Sequence, residues 1–199
     1  MAISVDLIKE LRQKTNAPMM DCKKALVEAN GDIKTATEIL KKRGQIVALK
    51  KAGRVAKEGV IGSYIHSNNK IGVLLEVNCE TDFVAKNEDF SKFVKDVCMQ
   101  IAASSPAYVS REEVPKAMVE REKDILKEQV KGKKPANVME KIIEGKLEKF
   151  YSEVCLLDQA FIKDDKITIK EYLNTLIGKI GENILVRRFV RFQVGEDIG

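Results

Sequence analysis

Alternation of side chains over positions 71–79 is the feature that most restricts the fold of this chain. In the segment IGVLLEVNC, the odd-numbered residues share one face of a β-strand, because successive side chains point to opposite sides. These residues are Ile71, Val73, Leu75, Val77 and Cys79. The preceding run GVIGSYIH leads into a Ser-Asn-Asn-Lys turn, so the two runs together predict a β-hairpin.

A third strand is predicted near the C-terminus, in the run ILVRRFVRFQV. Simple alternation assigns Arg187 and Arg191 to one face of this strand. The opposite, inward face would carry Ile184, Val186, Val190, Phe192 and Val194, interrupted by Arg188. The three strands predict an antiparallel sheet.

Residues 1–52 show helical periodicity instead. Ser4 can cap a first helix, Pro18 suits the first turn of a second, Gly31 can end that helix in a left-handed conformation, and Asp32 can cap a third. The core positions of the three helices would be Leu7, Ile8, Leu11, Cys22, Leu26, Ala29, Ile33, Ala36 and Leu40. This pattern predicts a three-helix bundle that forms a first domain over residues 1–55.

A run of seven cations without any acidic residue occupies positions 41–57, with Gly44 and Gly53 as expected helix breakers. The cations are Lys41, Lys42, Arg43, Lys50, Lys51, Arg54 and Lys57. We interpret the run as the boundary between two domains, on a solvated helix face or linker. Direct nucleic-acid contact is the alternative.

Helical patterns fill the space between the strands. Asn87 can cap a helix with a stripe of Phe90, Val94, Val97 and Ile101. Ser110 with Glu113, and Thr168 with Glu171, have the spacing of capping boxes. A charged helical stretch over 111–150 would be turned at Gly132 and Pro135. We therefore predict an α+β fold, in which the helical bundle precedes an α+β core domain over residues 56–199 with flanking helices.

Composition narrows the class of protein. The net charge of +5 is mildly basic and permits an acidic partner without arguing for nucleic acid. Four widely separated cysteines predict reduced, buried thiols, with neither disulfides nor a zinc site. Neither a signal peptide nor a membrane-spanning run is evident, so we expect a cytoplasmic protein that does not contact membranes.

Catalytic motifs are absent from the sequence. His66 is the single histidine, and it would have to serve any Ser-His-Asp or Cys-His pairing. Neither a phosphate-binding loop of the Walker type nor a Gly-x-Gly-x-x-Gly segment occurs, and the carboxylates lack calcium-loop spacing. We expect no catalytic residues, no bound metal and no cofactor. An enzyme would require His66 to be essential, so a protein that presents a binding surface is the favoured class.

Two longer segments resemble a known family. Residues 11–26, LRQKTNAPMMDCKKAL, and residues 76–86, EVNCETDFVAK, are similar to the two signatures of the elongation factor Ts family, and GENILVRRFVRF resembles its closing strand. The resemblance covers essentially the whole chain. Asn16 and Pro18 stand where glycines are expected, and Asp158 and Ala160 depart from a family segment.

The resemblance implies a guanine-nucleotide exchange factor for elongation factor Tu, without an active site of its own. The N-terminal bundle would be the family's ubiquitin-associated-like domain, which docks on the GTPase, with Met20 and Lys23 as docking residues. The segment that works near the nucleotide and Mg²⁺ would be Thr81, Asp82, Phe83 and Val84.

The family resemblance changes the interpretation of Phe83. The stretch NCETDFVAKN alone would predict a ring tucked into the core, whereas the flanking strand already supplies core residues and the signature supplies a reason for exposure. The chain resembles the short form of the family, with one core subdomain, so the resemblance also implies a homodimer and a 2:2 complex. An exposed edge of the C-terminal strand is one candidate for the self-contact.

Overall fold

The structure is a computed structural model that describes residues 3–15, 17–130 and 136–197, with the side chains of 130, 136 and 137 excepted. Within these ranges the chain forms helices and two antiparallel sheets, which confirms the predicted α+β class. Asn16 and the turn predicted at Gly132 and Pro135 lie outside the described residues.

Three helices form the N-terminal bundle: α1 (Val5–Thr15), α2 (Met19–Glu28) and α3 (Ile33–Lys51). The predicted caps are confirmed, since Leu7 N donates to Ser4 Oγ (3.3 Å) and Thr35 N donates to Asp32 Oδ2 (2.7 Å). Gly31 takes the left-handed conformation expected of it (φ +86°). Leu11, Cys22 and Leu26 are among the fully buried residues of this cluster.

The main sheet has the strand order β1 (Glu58–Ile65), β2 (Ile71–Cys79) and β5 (Leu185–Gln193), with β2 in the centre and antiparallel to both neighbours. Val73, Leu75, Val77 and Cys79 are buried, as the alternation predicts. They pack against helix α5 (Glu88–Ser104), which begins at the Asn87 cap and buries the predicted stripe. Gly62 makes this packing close, because a Cβ there would lie 2.3 Å from Val94 Cγ1.

The alternation predicted for the third strand is wrong beyond Arg187. The register shifts between Glu76 and Val77, which pair with Arg188 and Val186, so Arg187 is an extra residue in a β-bulge. A bulge reverses the facing of every later side chain. Phe189 and Arg191 consequently turn inward, whereas Val190, Phe192 and Val194 are exposed.

The remaining elements surround the core. These are α4 (Asp82–Ala85), α6 (Lys116–Val130), α7 (Ala136–Val154), β3 (Ala160–Phe161), β4 (Asp164–Thr168) and α8 (Ile169–Ile180). The capping box at Thr168 and Glu171 is confirmed. The box predicted at Ser110 is wrong, because Pro115 delays the start of α6 to Lys116 and residues 111–113 form a 3₁₀ turn instead. Glu113 accepts a hydrogen bond from Val109 N (3.0 Å).

Helix α3 joins the two hydrophobic clusters. Ala36 is buried in the N-terminal cluster, and Ala48 is buried in the main core. The prediction that Gly44 breaks the helix is wrong: α3 continues through it, and a Cβ there would lie 3.3 Å from the carbonyl oxygen of Asn174 in α8. Gly178 of α8 faces the same point, since its Cβ would lie 3.5 Å from Gly44 Cα. The two helices therefore cross backbone to backbone.

We predict that Gly44→Val lowers the free energy of unfolding by about 2 kcal/mol, because a branched side chain forces α3 away from the α8 backbone. Gly53→Val is the matched control in the same basic run, since a Cβ at Gly53 meets nothing within 4 Å and changes stability by about 0.5 kcal/mol at most. Urea denaturation measures both. Equal losses for the two variants would contradict a close crossing at Gly44.

Candidate functional site

The strongest candidate site is the short helix that follows the central strand. Thr81 is the N-cap of α4, with an extended backbone, and its hydroxyl accepts a hydrogen bond from Val84 N (3.4 Å). The Asp82–Ala85 helix is a single turn. We call residues 81–84 the 81–84 corner.

Phe83 and Val84 point in different directions from this corner. Val84 is buried in the main core, whereas Phe83 is 80% exposed. A one-turn helix separates adjacent side chains by about 100°, so burial of Val84 turns the neighbouring ring outward. The prediction that the ring is available is confirmed by its exposure, and its contact with a partner stays a prediction.

Thr81 is held at each of its polar groups. Its amide and hydroxyl both donate to the Glu182 carboxylate, at 3.1 and 2.7 Å, and its carbonyl accepts from the Cys79 thiol (Sγ to O, 3.1 Å) and from Ala85 N (3.3 Å). Burial raises the pKa of the Cys79 thiol, and the nearby Glu182 carboxylate adds to the rise, so the sulfur remains a protonated donor. The backbone that carries Phe83 is thus fixed from several sides.

Asp82 is exposed beside Phe83. Lys86 Nζ donates to Asp82 Oδ2 at 2.9 Å, four residues along the chain. The hydrogen bond and the positive charge of Lys86 lower the pKa of Asp82. The corner therefore presents an ionised carboxylate next to an exposed aromatic ring.

The other predicted residues lie elsewhere in the structure. Met20 and Lys23 are exposed on α2, three residues apart and so on one helix face, in the N-terminal bundle rather than at the corner. His66 lies in the β1–β2 turn, where its Nδ1 is 3.1 Å from the Tyr64 hydroxyl. That turn and the corner are at opposite ends of β2, roughly 25 Å apart for a nine-residue strand. The structure does not bring His66 into this site.

Glu80, Glu182 and Asn183 are polar residues beside the corner that sequence reasoning missed. Asn183 N donates to Glu80 Oε1 (2.6 Å), and Asn183 Nδ2 donates to the Arg54 carbonyl (2.7 Å). The first of these bonds is the main cause of the lowered pKa of Glu80. Because the partners are about 100 residues apart, no local spacing signals them; the match of GENILVRRFVRF was the one available indication.

The described residues contain no group of three or more His, Cys, Asp or Glu side chains placed to hold a metal ion. All four cysteines are free and buried, as predicted, and burial raises the pKa of Cys98 to about 11. Among the helices of the described ranges, none has the length and apolar character that a bilayer crossing requires.

Comparison with known proteins identifies the family. The sequence profile described as Elongation factor TS matches residues 2–196. This chain belongs to the elongation factor Ts family.

Individual family members are similar over nearly their whole length. Elongation factor Ts of Thermoanaerobacter sp. (strain X514) is 58% identical over 197 residues, covering 98% of this chain and 97% of that protein. The protein of the same name from Fervidobacterium nodosum is 59% identical, with 98% and 100% coverage. That of Geobacter sulfurreducens is 55% identical over 199 residues, with 100% and 92% coverage. The alignments therefore include the bundle, the corner and the closing strand.

We predict that Lys86→Met raises the pKa of Asp82 toward that of an ordinary aspartate, because the cation that favours the ionised form is lost. In the intact chain, the ion pair contributes to the free energy of unfolding above the ordinary aspartate pKa. This contribution is lost as the pH falls through the lowered pKa of Asp82. Carboxyl NMR titration measures the shift. Lys127→Met, which removes a similar partner from Asp124, is the control and leaves Asp82 unchanged.

Proposed function

We propose that this protein promotes release of GDP from elongation factor Tu by inserting the 81–84 corner near the nucleotide and Mg²⁺ site of that GTPase. Membership of the elongation factor Ts family implies nucleotide exchange on elongation factor Tu in translation. The observation that carries the finer proposal is Phe83: an aromatic ring 80% exposed on a backbone that is held by several hydrogen bonds.

The mechanism is one of reciprocal binding. GTPases hold GDP partly through Mg²⁺, which bridges phosphate oxygens and protein groups. A partner that binds best to a GTPase conformation with a disturbed metal site must weaken nucleotide binding by the same factor. This protein makes or breaks no covalent bond in that cycle, so it needs no catalytic residue.

Each residue of the corner has a separate role in this proposal. Phe83 enters an apolar space between helices of the GTPase, and burial of its ring supplies binding free energy. Asp82 engages groups around the metal site. Thr81 and Val84 hold the helix turn, the first through its hydroxyl and the second through its place in the core.

The N-terminal domain, residues 1–55, is the proposed docking unit. Met20 and Lys23 offer an apolar and a cationic side chain on one face of α2. Docking through this domain raises the local concentration of the corner at the nucleotide site. Residues 56–199 then form the exchange and dimerisation domain.

Nucleic acid is not part of the proposal. Several cations of the 41–57 run are paired within the protein: Arg43 with Glu28 (2.6 Å), Lys41 with Glu171 (3.6 Å) and Arg54 with Glu80 (3.5 Å). The run also includes the part of α3 that packs on α8. These contacts support a structural role for the basic run. A cytoplasmic location is part of the proposal, because the partner acts in translation.

We predict that Phe83→Ala lowers the efficiency of GDP release by roughly 30-fold, equivalent to the loss of an anchor worth about 2 kcal/mol. Stopped-flow measurement of fluorescent GDP leaving elongation factor Tu gives the rate. Ile162→Ala, which truncates another exposed apolar side chain, in the β3–β4 turn, retains the wild-type rate. Undiminished release with Phe83→Ala would contradict insertion of the ring.

Self-association is the second part of the proposal, and the bulge in β5 supplies its surface. The side of the main sheet turned away from α5 carries Ile65, Leu74, Val190 and Phe192, which we call the outer sheet face; each is substantially exposed. Leu74 pairs directly with Val190, and Ile65 lies against Gly72, next to Phe192. This exposed apolar surface supports the proposal of a contact site here.

We propose that a second copy of this chain covers the outer sheet face. Glu76 and Arg188 form an ion pair (2.7 Å) on the same side of the sheet, so a two-fold arrangement can place each charge near its opposite in the other copy. The dimer would provide two corners and give a 2:2 complex with elongation factor Tu. This placement uses the face of β5 rather than its edge.

We predict that Phe192→Glu converts the dimer into a monomer, because two carboxylates would be buried at a two-fold contact. Sedimentation equilibrium at micromolar concentration measures the mass. Phe83→Ala is the control and remains dimeric. A wild-type chain that sediments as a monomer at tens of micromolar would contradict the proposed dimer.

A further inference from the structure

Glu182 joins two segments that are distant in the sequence. It lies in the turn between α8 and β5, directly after Gly181, which ends α8 in a left-handed conformation (φ +84°). Its Oε2 accepts hydrogen bonds from Glu80 N and Thr81 N, both at 3.1 Å, and its Oε1 accepts from the Thr81 hydroxyl at 2.7 Å. One carboxylate thus takes three donors from the chain as it enters the 81–84 corner.

The bonds continue from Glu182 into the helix turn. The Thr81 hydroxyl that donates to Glu182 also accepts from Val84 N (3.4 Å). Donation to a carboxylate strengthens the hydroxyl as an acceptor. The orientation of the first turn of α4 is therefore tied to the position of the Glu182 carboxylate.

A reciprocal bond closes the contact in the other direction. Glu80 Oε1 accepts from Asn183 N at 2.6 Å, while the Glu182 carboxylate accepts from Glu80 N. Each segment thus offers a carboxylate to the backbone amide of the other. Asn183 also donates to the Arg54 carbonyl (2.7 Å), which connects the pair to the chain leaving α3.

Packing alone does not orient the Phe83 ring. Helix α4 has four residues, fewer than an isolated helix needs to be stable, and Val84 is its buried residue. The ring itself is 80% exposed, so few protein contacts determine where it points. Its direction follows from the backbone of residues 81–83, and the hydrogen bonds to Glu182 define that backbone.

We propose that Glu182 is a positioning residue for nucleotide exchange: it holds the 81–84 corner in the orientation from which Phe83 enters the GTPase. The inference rests on the proposed function of Phe83. Preorganisation matters because a ring that must first be ordered loses part of the binding free energy that drives insertion. Glu182 acts through Thr81 and contacts neither the nucleotide nor the metal.

Three variants at two positions test the role. Glu182→Ala removes both acceptor oxygens and with them all three hydrogen bonds, whereas Glu182→Gln keeps an amide oxygen for the two backbone donors and an NH₂ group that can bond to the Thr81 hydroxyl. Glu113→Ala is the matched control, because that carboxylate also accepts a backbone amide, from Val109, in a different connection. Urea denaturation of each full-length variant accompanies the kinetics.

The kinetic measurement separates positioning from docking. GDP release from elongation factor Tu is followed over a range of exchange-factor concentrations, which gives a maximal rate and a half-saturating concentration. For Glu182→Ala we expect the maximal rate to fall about tenfold, from lost charge-assisted hydrogen bonds, with half-saturation within about twofold. Glu182→Gln recovers to within about threefold of wild type, and Glu113→Ala leaves the maximal rate unchanged.

The double variant Phe83→Ala/Glu182→Ala shows whether Glu182 acts through the ring. If it does, the double variant is no slower than Phe83→Ala alone, because no ring remains to be positioned. Additive losses would overturn the proposal. So would an unchanged maximal rate in Glu182→Ala, a changed half-saturation alone, or an equal loss in Glu113→Ala.

Failure of the positioning role is distinguishable from failure of the proposed function. If Phe83→Ala is impaired and Glu182→Ala is not, the ring still inserts and Glu182 has no part in it. If Phe83→Ala exchanges normally, insertion itself is wrong and the positioning role is overturned with it. Thr81→Val removes the hydroxyl alone and provides the same test if Glu182→Ala does not fold.

Discussion

The buried row of the central strand determines the geometry of the rest of the protein. Val73, Leu75 and Val77 pack against α5, and hydrogen bonding to β1 and β5 on both sides prevents β2 from shifting. A slip of one residue would move this apolar row to the solvent side. The chain leaves β2 at Cys79, so the fixed register of the sheet also fixes the starting point of the 81–84 corner.

Local patterns predicted much of the fold, and the misses have identifiable causes. Caps at Ser4, Asp32, Asn87 and Thr168 could be predicted because each involves residues two or three apart. The bulge at Arg187 could not be predicted from local sequence, since it depends on the register of β5 against β2. Gly44 was interpreted as a helix breaker because the contact that requires a glycine there, with α8, involves residues about 130 positions away. Glu182 was missed for the same reason: its donors lie 101 and 102 residues from it.

The crossing at Gly44 and Gly178 connects the N-terminal bundle to the corner. Helix α3 belongs to the N-terminal bundle at one end and packs into the main core at the other, and α8 leads directly to Gly181 and Glu182. Arg54, just beyond α3, forms an ion pair with Glu80, and its carbonyl oxygen accepts a hydrogen bond from Asn183 Nδ2. The bundle and the corner therefore share one support. In the proposed function, docking through the bundle would use this support to aim the ring.

Exposure of Phe83 leaves unused the free energy that burial of the ring would contribute to folding. A free ring of this size gains stability by turning onto the nearest apolar surface, and burying a phenylalanine side chain is worth roughly 1.5–3 kcal/mol. The Phe83 ring does not turn inward in this way, because Val84 fills the inward position and the hydrogen bonds of Thr81 oppose rotation of the helix turn. In the proposed function, the ring gains this free energy when it is buried against the partner. On this account, the hydrogen bonds around Thr81 serve less to stabilise the fold than to keep Phe83 from collapsing onto it.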